Sequence, residues 1–344
     1  ADQKGVAGIS STNEYYWQFE NYFNYNKTFN TDHSIAALAG LSWQRRSWES
    51  FGASAQNFID DYWGWHNIGV GTTLQKPSSS DQEWSLNSYF GRFNYSYKSK
   101  YLVTFTGRYD GASKFGENSK YAFFPSAALA WNLGEESFIK DINAISTAKL
   151  RLSYGKTGNQ EIGQYRSQQF LGTGDVLLGG VRQTGMWRTS FGNSDLRWEY
   201  TNQLDLGLDL GLFNDRVDLS FDLYRKVTKD LLLDAPIPWS TGLGSVTQNI
   251  GSVENKGIEI GLNTRNIVGD KFTWSTNFAF SANKNEILQL GVNNDDIFPG
   301  PWFLGQTNIL RVGHAIGTLW GYKRLGTYSS DEVELAKTYN RLPG

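Results

Sequence analysis

Alternate residues of the segment 198–212 are Trp198, Tyr200, Asn202, Leu204, Leu206, Leu208, Leu210 and Leu212, while those between them are Glu199, Thr201, Gln203, Asp205, Gly207, Asp209 and Gly211. Successive side chains of a strand point to opposite sides, so this period of two predicts a strand with one face of aromatics and leucines and one of carboxylates, amides and glycine. The same period predicts strands at 15–25, 35–43, 89–97, 101–109, 123–131, 150–154, 217–223, 258–264 and 274–282. Helical periodicity is nearly absent, which makes the chain all-β.

Alternation is shared by soluble sandwiches and membrane barrels, and three further features separate them. Residues 198–212 would span about 50 Å, beyond the 17–20 Å of an ordinary sandwich strand. Aromatics sit at the ends of the apolar faces, as Trp198 and Tyr200 do before the leucines and Tyr95 and Tyr97 after Phe93, which is the girdle pattern of an outer-membrane barrel. Connections alternate in length: the short ones are 26–32, 98–100, 213–216 and 268–271, and the long ones are 44–83, 110–120, 156–197, 230–246 and everything after Lys284. A meander crossing a membrane does this, with short periplasmic turns and long extracellular loops. Segment 133–147 is a long exception on the periplasmic side, where Glu135, Glu136, Ser137, Phe138 and Ile139 predict a helical turn.

Composition removes several alternatives. There is no cysteine, and 32 Lys and Arg are scattered among 34 Asp and Glu for a net charge of −2, so thiol chemistry is excluded and no basic block suits nucleic acid. Charges interrupt every apolar stretch, so no transmembrane helix is expected. No secretory signal is seen after Ala1, no repeat of fixed period emerges, and low complexity is confined to Ser78, Ser79 and Ser80.

The runs 88–97 (SYFGRFNYSY), 101–104 (YLVT) and 108–116 (RYDGASKFG) resemble the SusC/RagA family of TonB-dependent outer-membrane transporters. So do Phe124, Pro125 and Ser126 with Trp131, the run 150–160 (LRLSYGKTGNQ), 193–199 ending in Trp198 and Glu199, 224–226 with 228–232, and 249–253 with 255–259. The family's order is kept over most of the chain, which is more specific than any single motif. The resemblance implies part of a 22-stranded antiparallel transmembrane β-barrel, with residues 1–344 lying in the barrel and the plug domain and closing strands outside this chain. It also implies a SusD-like surface lipoprotein as lid, TonB with ExbB and ExbD as energy source, and the outer membrane of a Gram-negative bacterium as location.

Enzyme signatures fit less well than these features. Gly155, Lys156 and Thr157 look like the tail of a phosphate loop, but Leu150 stands where its first glycine belongs. His33, His66 and His314 are widely separated and read as surface or lumen residues. Asp60 with Asp61 and Asp295 with Asp296 offer hard oxygen ligands for calcium, although none of the spacing of a calcium loop surrounds them. Asp205 and Asp209 share a strand face and suggest a glycosidase pair; lining of a water-filled lumen is the plainer account. No catalytic residue and no resident metal or cofactor is expected.

Two sets of residues are candidates for binding. Trp63, Trp65, His66, Trp187, Arg188, Trp239 and Trp302 fall in the long loops, where flat rings suit the C–H faces of a sugar and equally suit loop packing or a lid protein. Arg92, Arg108, Asp110, Arg151, Glu199, Asp205 and Asp209 fall on predicted strands and would face substrate or plug within the lumen. The leading expectation is TonB-dependent import of oligosaccharides. Import of peptides is its alternative, followed by a soluble β-sandwich that binds glycans or acts as an adhesin, and by an outer-membrane hydrolase of the barrel type.

Overall fold

The computed structural model describes residues 5–60, 62–291, 293–299, 307–323, 326–327 and 331–338. Ten long strands form one antiparallel meander: β1 (Val6–Phe29), β2 (His33–Gln56), β3 (Ser78–Tyr97), β4 (Tyr101–Ala112), β5 (Tyr121–Asn132), β6 (Ile145–Asn159), β7 (Glu199–Leu212), β8 (Val217–Lys229), β9 (Ser252–Val268) and β10 (Thr273–Gln289). Each pairs with its neighbours in the chain, and a short strand Thr73–Leu74 adds to β2. No pairing joins β1 to β10 among the described residues, so the sheet is open.

Register carries each side chain to a face. Leu152, Leu206, Leu223, Ile258 and Ala282 stand opposite one another in one row across β6 to β10, and Leu150, Leu208, Phe221, Ile260 and Phe280 in the next. Many of these apolar side chains are solvent-accessible in the isolated chain, Leu152 by 43% and Phe280 by 47%. A soluble domain buries such a surface, whereas a barrel presents it to lipid.

The aromatic girdle is present at both margins of this face. Tyr97, Tyr101 and Trp131 stack in a row at the short-turn end, with ring centroids 6.4 and 6.2 Å apart. Tyr109 and Tyr121 stack at 5.2 Å toward the long-loop end, where Tyr89 and Phe123 flank Tyr109 in register. Tyr101 and Tyr109 lie about 27 Å apart along β4, roughly 20 Å in height for a strand tilted by about 40°, comparable to the apolar band of an outer membrane. His33, expected at the surface or in the lumen, belongs to this girdle: it pairs with Tyr97 in register, and its Nδ1 lies 2.7 Å from the Tyr95 hydroxyl.

Connections sort by end as the alternation predicts. Asn30, Thr31, Lys98, Ser99, Phe213, Asn214 and Asp215 take positive φ in the tightest turns, the backbone hand that matches the twist of hairpin strands. The exception at 133–147 contains a 3-10 turn at Leu133–Glu135 and a short helix at Ser137–Lys140. Glu136 ties it down, accepting from the Tyr101 hydroxyl at 2.8 Å, Trp131 Nε1 at 3.1 Å and Lys100 Nζ at 3.1 Å.

Three expectations are corrected. Segment 44–83 is not all loop: β2 runs to Gln56 and β3 begins at Ser78, because a strand that rises beyond the lipid into water loses the apolar alternation that marks it. The long segments 156–197 and 230–246 are partly folded as hairpins, Phe170–Leu178 with Val181–Ser190 and Leu232–Pro236 with Ser245–Asn249. Trp198 is not a girdle residue but lies 7% exposed inside a cluster formed by the loops.

Candidate functional site

The polar face carries a connected network on β6, β7 and β8. Arg151 donates from Nε to Asp209 Oδ2 at 2.8 Å, from Nη2 to Asp209 Oδ1 at 2.9 Å and from Nη2 to Asp222 Oδ1 at 2.9 Å. Gly207 stands opposite both Arg151 and Asp222. A Cβ there would lie 2.5 Å from Asp222 Oδ1 and 2.6 Å from Arg151 Cζ, so glycine makes room for the bridge. Asp205 accepts from Ser153 Oγ at 3.2 Å and from Gln203 Nε2 at 2.8 Å. Asp205 and Asp209 share this face, and both carboxylates are already engaged by neighbouring side chains.

The other strand-borne candidates are dispersed. On β4, Arg108 donates to Asp110 Oδ2 at 2.8 Å and to Ser88 Oγ at 2.7 Å. Arg92 is exposed on β3 without a hydrogen-bond or ion-pair partner among the described residues. Glu199 serves the loops: it accepts from Asn159 Nδ2 and from the backbone N–H of Leu232, both at 3.2 Å.

At the long-loop end, stretches far apart in sequence converge. Phe115, Phe124, Leu196 and Trp198 form a buried cluster with Ala112, the Trp198 ring lying 5.0 Å from Phe115 and 5.2 Å from Phe124. Trp198 Nε1 donates to the Lys120 carbonyl at 2.9 Å, and the Gly116 N–H to that of Leu196 at 3.1 Å. Asn249 links the next loop by accepting from the Arg197 N–H at 2.9 Å and donating to the Arg197 carbonyl at 2.7 Å, while Arg197 pairs with Asp230 at 2.9 Å. Lys114 is buried beneath this knot, 5.5 Å from the Trp84 ring, and burial holds its ammonium below the ordinary lysine pKa. A second cluster of Val253, Ile287 and Leu290 anchors the chain beyond β10. Arg197, Asp222, Asp230, Asn249 and Lys114 escaped sequence reasoning; for Asp222 the signal was its place between Phe221 and Leu223 on the alternating strand.

The loop aromatics are displayed on this scaffold. Trp65 stacks on His66 with centroids 3.9 Å apart, near Trp63, which meets Tyr62 edge-on at 5.1 Å. Trp187 is half exposed on the hairpin above Gly174, and Arg188 lies 4.6 Å over Phe191. Trp239 is 81% exposed at the tip of its hairpin. The 62–66 group, Trp187 and Trp239 sit on three separate loops, and no ring contact joins the three among the described residues; Trp302 lies outside the described residues. Of the calcium candidates, Asp60 caps the backbone of Tyr62 at 3.1 Å and Asp61 lies outside the described residues. Asp296 is clasped by Arg311 at 2.9 and 2.5 Å, which holds its carboxyl below the usual range. No group of three or more His, Asp or Glu converges among the described residues.

Comparison with known proteins agrees with this geometry. Residues 2–343 match the family described as TonB dependent receptor-like, beta-barrel. The chain is 46% identical over 313 residues to TonB-dependent receptor P3 of Formosa agariphila, covering 90% of this chain and 31% of that protein. It is 40% identical over 225 residues to TonB-dependent receptor SusC of Bacteroides thetaiotaomicron, covering 61% of this chain and 22% of that one. The solved RagAB peptide transporter superposes with a TM-score of 0.80 at 28% identity, over 89% of this chain and 33% of its own. The chain thus spans about a third or less of the length of these relatives.

Proposed function

The chain belongs to the TonB-dependent receptor-like β-barrel family, a barrel of the Gram-negative outer membrane, and from that premise we propose that it forms the wall and rim of an importer for oligosaccharides. The observation that carries the substrate class is the display of Trp65 with His66, Trp187 and Trp239 on the long loops. Exposed flat rings recognise the C–H faces of sugars, and neighbouring polar groups such as Arg188 orient hydroxyls.

On this reading a SusD-like lipoprotein presents ligand to the rim, a plug closes the lumen, and TonB with ExbB and ExbD supplies the force that moves the plug. The ten strands would be completed by others to a closed cylinder of 22. The polar face then serves as a water-filled lining that pairs its charges with itself or the plug. Asp205 and Asp209 act there as structure, and import requires no bond to be cut.

Peptide import is a second reading, favoured by the likeness to the RagAB peptide transporter. Calorimetric titration of the full-length receptor with defined oligosaccharides and with peptides separates the two. We expect heat with oligosaccharides that is lost on joint Trp65→Ala and Trp239→Ala exchange. Heat with peptides alone would overturn the oligosaccharide reading.

A further inference from the structure

Three cations stand side by side on the apolar face. Register sets Arg225 of β8 opposite Lys256 of β9, and Lys256 opposite Lys284 of β10. One row nearer the short turns, the same strands carry Leu223, Ile258 and Ala282. The cations therefore cap the apolar band at its long-loop margin. A trough of about 710 Å³ opens there, floored by Leu206, Leu223 and Ile258 and rimmed by the three cations.

Like charges directly opposite one another destabilise a ladder. Glu254 offsets part of this: its buried carboxylate accepts from Arg225 Nε at 2.6 Å and from Lys256 Nζ at 2.7 Å, and Lys284 pairs with Glu286 at 2.9 Å. Two carboxylates against three cations leave the row one positive charge in excess, and Lys156 and Lys229 on the same face of β6 and β8 add to it. The Arg225 Nη groups have no acceptor among the described residues, and the side chains of Arg225, Lys256 and Lys284 are 61%, 49% and 67% exposed.

A cationic row bordering an apolar trough is complementary to an amphiphile with an anionic head and a hydrocarbon tail. In the meander topology the long-loop end faces outward, so that amphiphile belongs to the outer leaflet. We infer that this row and trough bind a phosphorylated lipid of the outer leaflet, the phosphate resting on Arg225, Lys256 and Lys284 and an acyl chain lying along Leu206, Leu223 and Ile258. The inference rests on the outer-membrane placement of the barrel.

Native mass spectrometry of the full-length receptor in detergent tests it, with lipid A, dephosphorylated lipid A and inorganic phosphate as probes. The receptor is expected to retain lipid A and to lose at least about tenfold in retention on joint Arg225→Gln, Lys256→Gln and Lys284→Gln exchange. Dephosphorylated lipid A should be retained as poorly by the unaltered receptor, and free phosphate alone should not be retained. Equal retention by the variant, equal retention of the dephosphorylated lipid, or retention of phosphate without lipid would overturn the site. Lys284→Gln alone repeats the comparison should the triple variant fail to fold. Gel migration of unboiled against boiled receptor reports the barrel itself, so absence of that shift in the unaltered receptor would sink the membrane reading instead.

Discussion

Arg151 and Asp222 are on strands that do not pair with each other, yet the guanidinium reaches the carboxylate at 2.9 Å across Gly207. The bridge binds β6, β7 and β8 on the polar face while engaging Asp209 with both oxygens. Removing the guanidinium would leave two carboxylates facing each other. Arg151→Ala is therefore expected to cost about 1 kcal/mol, discounted for the water that reaches the pair, and Arg151→Lys to recover only part of it. Urea titration of the refolded barrel checks this; unchanged midpoints would remove the bridge from the stability of the sheet.

Gly116→Ala tests the knot of loops. A Cβ at Gly116 would lie on the Ser194 carbonyl oxygen, so segment 110–120 must part from segment 193–198. Overpacking of this kind costs about 1–3 kcal/mol. Limited proteolysis should cut within 160–198 faster in the variant, while the strands between the girdles stay protected.

Trp198→Ala and Trp239→Ala should separate scaffold from display. Trp198 is buried and holds Lys120 by its indole, so its loss is expected to cost about 3 kcal/mol. Trp239 is almost fully exposed, and its loss should change stability by less than about 0.5 kcal/mol while weakening ligand binding. Thermal melts paired with calorimetry on each variant decide; a binding defect confined to Trp198→Ala would remove Trp239 from the ligand surface.

Glu136 supplies a pH dependence. Hydrogen bonds from Tyr101, Lys100 and Trp131 hold its carboxyl below the ordinary glutamate value. Its stabilisation is therefore complete above the unfolded pKa and is lost as pH falls through the lower folded value. Hydrogen exchange in 133–144 should quicken below about pH 4, the ordinary glutamate range, and Glu136→Ala should show the fast rate at every pH.

Much of the fold was legible because lipid enforces the period of two: the apolar rows through Leu206 and Leu208 are continuous in the sequence and in the sheet. Strand ends were not legible where β2 leaves the lipid, since Arg45, Arg46 and Glu49 carry no alternation. Trp198 was misassigned for a related reason: an aromatic just outside a strand reads identically whether it meets a headgroup or the rings of Phe115 and Phe124. The Arg151 bridge was half visible, its arginine and Asp209 standing on the alternating faces; alternation also puts Asp222 on the polar face, but only register shows that it meets Arg151. The contacts of Asn249 with Arg197 join residues whose proximity depends on loop paths that no local pattern specifies.

The unequal height of the wall has a geometric consequence. From Leu41, opposite the girdle residue Tyr89, β2 continues for about 50 Å to Gln56, which lifts its tip roughly 40 Å above the girdle at a 40° tilt. A globular domain of about 100 residues has a radius of gyration near 13 Å. A body of that size resting on the barrel mouth would be met by this ribbon along its flank. Trp63 and Trp65 stand just beyond the ribbon's end at Gln56 and would meet the shoulder of such a body, while Trp187 and Trp239 stand on separate loops.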